Sequence, residues 1–144
     1  MKHVFVSPGA GRDFGGGLLC RLPSASTGGA LCAFEVALAP GEGVPLHVHD
    51  GDDELYAILE GRLHLQCGEQ AFVAEPGAMA FIPRRVPHAF ANYTDQTTRF
   101  LNVFVPGGFD DLVSELQQLS PDDPDRERRR DEIRARHGVT FLPR

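Results

Sequence analysis

GEGVPLHVHDGDDELYAILEG, residues 41–61, decides the reading of this chain. His47 and His49 stand two apart, so on a strand both imidazoles point to the same side. A polar turn, Asp50 to Asp53, separates them from Glu54, which opens the next β-prone run. Further on, IPRRVPHAFAN (82–92) brings His88 at another strand start. Three neutral imidazoles and one carboxylate make an N/O donor set suited to Fe, Mn, Ni, Co, Cu or Zn. Four such ligands leave two positions of an octahedron for water, dioxygen or a bidentate substrate. His47, His49, Glu54 and His88 are therefore the candidate ligands of one divalent metal ion per chain, with Asp53 the competing carboxylate.

Outward from this stretch, residues 1 to about 105 read as strands and turns. ALCAFEVAL (30–38), ELYAILEG (54–61), RLHLQC (62–67), QAFVAE (70–75), AMAFI (78–82), HAFANY (88–93) and TRFLNVFV (98–105) are β-rich. Turn residues such as PGEG, GDD, CGE, PG and PRRVP divide them. Short strands at this spacing predict an all-β sandwich or small barrel. The chain then changes character. In GGFDDLVSELQQL (107–119), Phe109, Leu112, Val113, Leu116 and Leu119 fall at helical spacing. A second helix is expected over DRERRRDEIRAR (125–136), capped by Asp123, started at Pro124 and stopped by Gly138. Its pairs Asp125–Arg129 and Glu132–Arg136 and its lone Ile133 describe a solvated surface helix, with partner binding the sharper alternative. Val139, Phe141 and Leu142 are expected to pack back on the barrel. Residues 1–106 thus form the barrel and 107–144 a helical extension of the same domain.

The 144 residues suit one domain able to bury a core of its own. A net charge of −6 argues against a nucleic-acid or anionic-membrane surface. Cys20, Cys32 and Cys67 are odd in number and lack CxxC spacing, so reduced thiols are expected rather than a disulfide framework or thiolate zinc site. No signal peptide or membrane-spanning run is evident, and a cytoplasmic location is expected.

The two histidine-bearing stretches resemble the motifs of the cupin superfamily. Gly41, His47, His49, Glu54 and Gly61 meet every spacing of the first motif. The step to Gly61 favours Glu54 over Asp53 as the carboxylate. Gly77, Pro83, His88 and Asn92 meet the spacings of the second, and Arg85 stands where that motif has a glycine. The resemblance implies a cupin double-stranded β-helix, a jelly-roll barrel. A single short cupin, the Pro-His-Ala-Phe stretch and a trailing PGGF followed by a helix look like the quercetin dioxygenase-like group of small bacterial cupins. That likeness implies oxygenase chemistry on an aromatic or enolic, flavonol- or polyketide-like molecule. Similar small cupins act as polyketide cyclases, lyases or isomerases, so a non-redox metal enzyme is the alternative. A non-catalytic binding protein is a further one, weakened because no helix-turn-helix accompanies the barrel. Glu54 is also the candidate catalytic base.

Strand parity extends the site. If Glu54 points inward, so do Tyr56 and Ile58; if His88 does, so do Phe90 and Asn92. With Phe34, Val36, Met79 and Phe81 these are the expected lining of an apolar substrate pocket, and Leu38 and Phe72 lie in the same apolar runs. Arg84 and Arg85 could meet an acidic substrate at its mouth. His3, His64 and His137 read as surface or cross-strand residues. The opposite parity of the same strand, Leu55, Ala57 and Leu59, is apolar as well and needs a cover. The N-terminal strands or a second subunit must supply it, so a homodimer is expected, with a small-molecule substrate and dioxygen as the other partners.

Overall fold

Short β-prone runs punctuated by Gly and Pro produce eleven strands among the described residues. The computed structural model describes residues 2–143. The strands are β1 (Arg12–Asp13), β2 (Leu18–Leu22), β3 (Cys32–Leu38), β4 (Gly43–His49), β5 (Asp53–Glu60), β6 (Leu63–Cys67), β7 (Gln70–Ala74), β8 (Met79–Ile82), β9 (His88–Ala91), β10 (Thr98–Val105) and β11 (Val139–Phe141). Two helices, α1 (Phe109–Gln117) and α2 (Arg126–Arg136), lie between β10 and β11. One antiparallel sheet has the order β1-β2-β3-β10-β5-β8 and the other β11-β4-β9-β6-β7. The two sheets make the double-stranded β-helix of the cupin fold.

Register decides which side chains meet between the sheets. β10 runs between β3 and β5, with Phe100 opposite Val36 and Ile58, and Asn102 opposite Phe34 and Tyr56. These residues face inward. Leu38, Tyr56, Ile58, Leu63, Leu65, Ile82 and Phe100 form one buried cluster. Phe14, Cys20, Cys32, Phe34, Phe104 and Val113 form a second beneath α1. The barrel is closed between β5 and β6 by a turn that only glycine can make. Gly61 has φ +77°, and a Cβ there would meet Thr98 Oγ1 at 2.6 Å and Thr98 Cα at 2.9 Å.

The C-terminal elements pack as an apolar wedge rather than an appendage. Leu112 of α1, Ile133 of α2 and Val139 of β11 are buried together. β11 pairs with β4, placing Val139 opposite His49 and Phe141 opposite His47. The start of α2 differs from expectation. The helix begins at Arg126, and Asp123 instead accepts a 2.8 Å hydrogen bond from the Asp125 backbone N–H and pairs with Arg129 at 3.0 Å. The loop before the helix uses Asp123 to shape its own turn, which moves the boundary past Pro124. The expected pairs Asp125–Arg129 and Glu132–Arg136 are also replaced. Arg128 reaches both Asp125 (3.3 Å) and Glu132 (2.7 Å), while Arg136 pairs with Glu115 of α1 (2.8 Å). Arg136 turns toward α1 because the two helices are in contact.

The N-terminal strands β1 and β2 do not cover the outer face of β5. They extend the sheet beyond β3, at the edge opposite β8. No helix among the described residues is long and apolar enough to cross a membrane. Cys20, Cys32 and Cys67 are free thiols.

Candidate metal centre

Three elements deliver four side chains to one point. His47 and His49 end β4, Glu54 lies at the start of β5, and His88 opens β9. β4 pairs with β9 so that His47 and His88 are directly opposite. Glu54 lies across the barrel in the other sheet, opposite Ile82 and Phe104. All four residues are buried, and one ligand atom from each lies within 4.8 Å of the others. This group could hold one metal ion.

The donors are held from behind. Nδ1 of His47 contacts the Pro45 carbonyl at 2.8 Å, and Nδ1 of His88 contacts that of Val86 at 3.0 Å. Each ring is thereby pinned with Nε2 turned the other way. Nδ1 of His49 lies 2.8 Å from Oδ1 of Asp52. Glu54 splits its oxygens between two tasks. Oε1 accepts from the Tyr56 hydroxyl at 3.1 Å and from Asn102 Nδ2 at 3.4 Å. Oε2 lies 2.6 Å from His88 Nε2 and 3.4 Å from His49 Nε2.

Those last atoms test whether a metal fits. Glu54 Oε2 and His88 Nε2 are buried yet have no hydrogen-bond partner. Buried polar atoms left unpaired cost about 1–3 kcal/mol each. Here they lean on one another without the alignment of a hydrogen bond, as ligands do that share a third partner. Two imidazole nitrogens and a carboxylate oxygen converging this way form a donor set that divalent first-row ions satisfy. The residues fit the group.

Burial and the neighbouring groups act differently on the four side chains. Burial, with neighbouring His88 and His49, pushes His47 down to about 4, so its imidazole is neutral at pH 7. Burial opposes a charge on His49 too, but Asp52 and Glu54 outweigh it and raise its pKa. Burial works to raise Glu54, and His88 and His49 bring it below the usual carboxylate value. Tyr56 is pushed well above an ordinary tyrosine by burial and by Glu54, so its hydroxyl stays a donor.

Other residues named from sequence fall in different places. Asp53 is not in the cluster: it accepts from the Arg84 backbone N–H at 2.8 Å and from its guanidinium at 3.1 and 3.2 Å. Asn92 is fully buried, donating to the Leu38 and Gln96 carbonyls at 2.9 and 2.7 Å, which fixes the turn after β9. Tyr56 touches Glu54, while Ile58, Val36 and Phe90 belong to the packed core or its margin. Phe34 packs against Phe14, Phe104 and Phe109 under α1. Met79 and Phe81 do not line a pocket. They sit opposite Ala57 and Leu55 on the outer face and are 68% and 64% exposed. Ala80 and Ile82 hold the inward parity on β8, which no ligand marks in the sequence. Phe72 is half exposed on edge strand β7. His64 packs edge-on against Tyr93, and His137 Nε2 contacts Glu115 Oε1 at 2.8 Å. Two further residues reach the centre: Asn102, whose inward parity on β10 is the signal for it, and Asp52, which lies in the polar turn before Glu54 and turns toward His49.

Two sheets wound into a double-stranded β-helix around a buried three-histidine, one-carboxylate cluster define a β-barrel with a metal-competent centre. Residues 34–104 match the cupin domain family, and with the fold this supports the cupin superfamily. TT1209 from Thermus thermophilus is 28% identical, with a TM-score of 0.57 over 67% of this chain and 91% of that one. A predicted oxalate decarboxylase from Thermotoga maritima is 23% identical, TM-score 0.59, over 62% of this chain and 78% of its own. KdgF from Halomonas sp. is 16% identical, TM-score 0.64, over 76% and 99%. The latter two bear on the fold alone. No curated protein matches the sequence.

Proposed function

We propose that this chain is a metal-dependent cupin enzyme whose ion is held by His47, His49, Glu54 and His88, and that it acts as a dioxygenase on a small aromatic or enolic molecule. The observation that carries the reading is the division of labour at Glu54. Tyr56 and Asn102 hold Oε1, which leaves Oε2 among the imidazoles. A bound ion supplies Lewis acidity and, if redox-active, one-electron chemistry with dioxygen. The protein's own part is positional. The two backbone carbonyls behind His47 and His88 fix the imidazole tautomers. Tyr56 and Asn102 both donate to Glu54 Oε1, which keeps the carboxylate ionised and aims Oε2 at the imidazoles. Buried Tyr56, Ile58 and Phe100 fill the adjoining interior and keep bulk water from that side of the centre.

The test is dioxygen uptake by protein loaded separately with Fe, Mn, Ni, Co, Cu or Zn, with a flavonol and a β-diketone as probes. Uptake with a redox-capable ion, abolished in Glu54→Ala and His49→Ala, supports the reading. The same variants should carry little metal by elemental analysis while keeping the far-ultraviolet spectrum of a β-barrel. Turnover without oxygen makes the enzyme a cyclase, lyase or isomerase. Tight probe binding without turnover makes it a binding protein.

A further inference from the structure

The three imidazoles of the cluster are not backed alike. His47 and His88 each place Nδ1 against a backbone carbonyl two residues earlier, at 2.8 and 3.0 Å. His49 alone faces a carboxylate, with Nδ1 2.8 Å from Asp52 Oδ1. Both of those atoms are buried, and they meet at this distance without the alignment of a hydrogen bond and with no hydrogen-bond partner among the described residues. The side chains are 5% and 17% exposed.

The turn that carries Asp52 is fixed at both ends. The His49 carbonyl accepts from the Arg85 backbone N–H at 2.7 Å. Asp53, the next residue, is clamped by Arg84 through its backbone N–H and its guanidinium. The Asp50 backbone N–H donates to the Gly138 carbonyl at 2.8 Å, and Val139 pairs with His49. Asp52 is therefore presented to the back of His49 by a rigid frame rather than by a mobile loop. A carboxylate in that place fixes the ring orientation and makes the imidazole a stronger electron donor at Nε2, where a backbone carbonyl does so less.

We propose that Asp52 is a positioning residue of the metal centre, acting through His49 and making it the one charge-backed ligand of the three. The proposal rests on the metal reading of the cluster. Asp50 provides the control, because it sits in the same turn and carries the same charge but is exposed, while it is Asp52 that stands against the His49 ring.

Co(II) affinity, read by competition with a coloured chelator, and the visible absorption of the Co(II) protein test it. Asp52→Asn keeps the shape and removes the charge. It should weaken Co(II) binding about 10- to 100-fold and shift the Co(II) absorption bands. Asp50→Asn should stay within about twofold and leave the bands in place. Urea unfolding of the metal-free proteins checks that Asp52→Asn still folds; should it not, Asp52→Glu, which keeps the charge on a longer arm, must restore tighter binding than Asp52→Ala. Equal affinity and equal spectra for wild type and Asp52→Asn overturn the assignment while leaving the metal centre standing. A wild-type chain that binds no Co(II) overturns both.

Discussion

Arg85 shows how much strain one residue beside the centre carries. It is the one non-glycine residue with positive φ among those described, at +71°, where the motif it resembles has a glycine. A side chain in that region costs roughly 1–2 kcal/mol. The turn persists because its backbone N–H bonds the His49 carbonyl at 2.7 Å and the flanking residues are fixed by Asp53 and His88. Arg85→Gly should therefore stabilise the fold by roughly 0.5–1 kcal/mol, the relief of strain less the entropy of a glycine in the unfolded chain. Thermal unfolding measures this as a rise of about 2–4 °C per kcal/mol in a chain of this size. A lower melting temperature would mean that the guanidinium contributes more than its backbone costs. The ligands themselves were legible at this scale because their spacing encodes strand parity: two residues apart on β4, then one polar turn to β5. The atoms behind them were not. Whether Asp52 or Asp53 turns inward depends on which one Arg84 captures, and Arg84 is thirty-one residues away from Asp53.

Helices α1 and α2 separate what binds an element from what merely decorates it. Ile133, the only sizeable apolar side chain of α2, is buried against Leu112 and Val139. Arg128 makes two ion pairs, one with Asp125 just before the helix and one with Glu132 on it, but its side chain is 60% exposed. Exposed pairs contribute little, commonly under about 1 kcal/mol, because water screens them and the long side chains lose freedom. Truncating a buried Ile costs about 2–5 kcal/mol. Urea denaturation should thus find Ile133→Ala destabilised by about 2–5 kcal/mol and Arg128→Ala changed by less than about 1 kcal/mol. Comparable losses in the two variants would show that the charged face of α2 holds the helix in place. Element types were readable from the sequence because periods of two and of 3.6 differ plainly. Strand β11 was not: its three residues carry too short a pattern, and its pairing with β4 depends on α1 and α2 turning the chain back. The parity of β8 escaped for the same kind of reason, since Met79 and Phe81 are as apolar as the inward Ala80 and Ile82.

At the scale of the whole molecule, one sheet face is left without a cover among the described residues. Leu55, Ala57 and Leu59 of β5, Met79 and Phe81 of β8, and Leu101 and Val103 of β10 share the outer parity of the first sheet. Leu59 is 48% exposed and Val105, at the end of β10, 44%. The N-terminal strands lie at the far edge of that sheet, and Phe5 ahead of them is itself 84% exposed. A soluble monomer rarely leaves an apolar area of more than a few hundred Å² open to water. A second copy is the cover we propose, because under a two-fold axis the same apolar strands β5 and β8 meet from both partners, with the charges of Glu35, Arg21 and Arg99 on the β3 side of the face already paired with one another. The chain of 15.7 kDa should then run as a dimer in light scattering at micromolar concentration. Replacing both Met79 and Phe81 by Glu sets two carboxylates on each partner into that contact, so the variant should run as a monomer with an unchanged far-ultraviolet spectrum. Neither side chain reaches the inner face, so metal binding should survive in the monomer. A wild-type mass of one chain would remove the dimer and leave the centre untouched, since all four ligands come from a single copy.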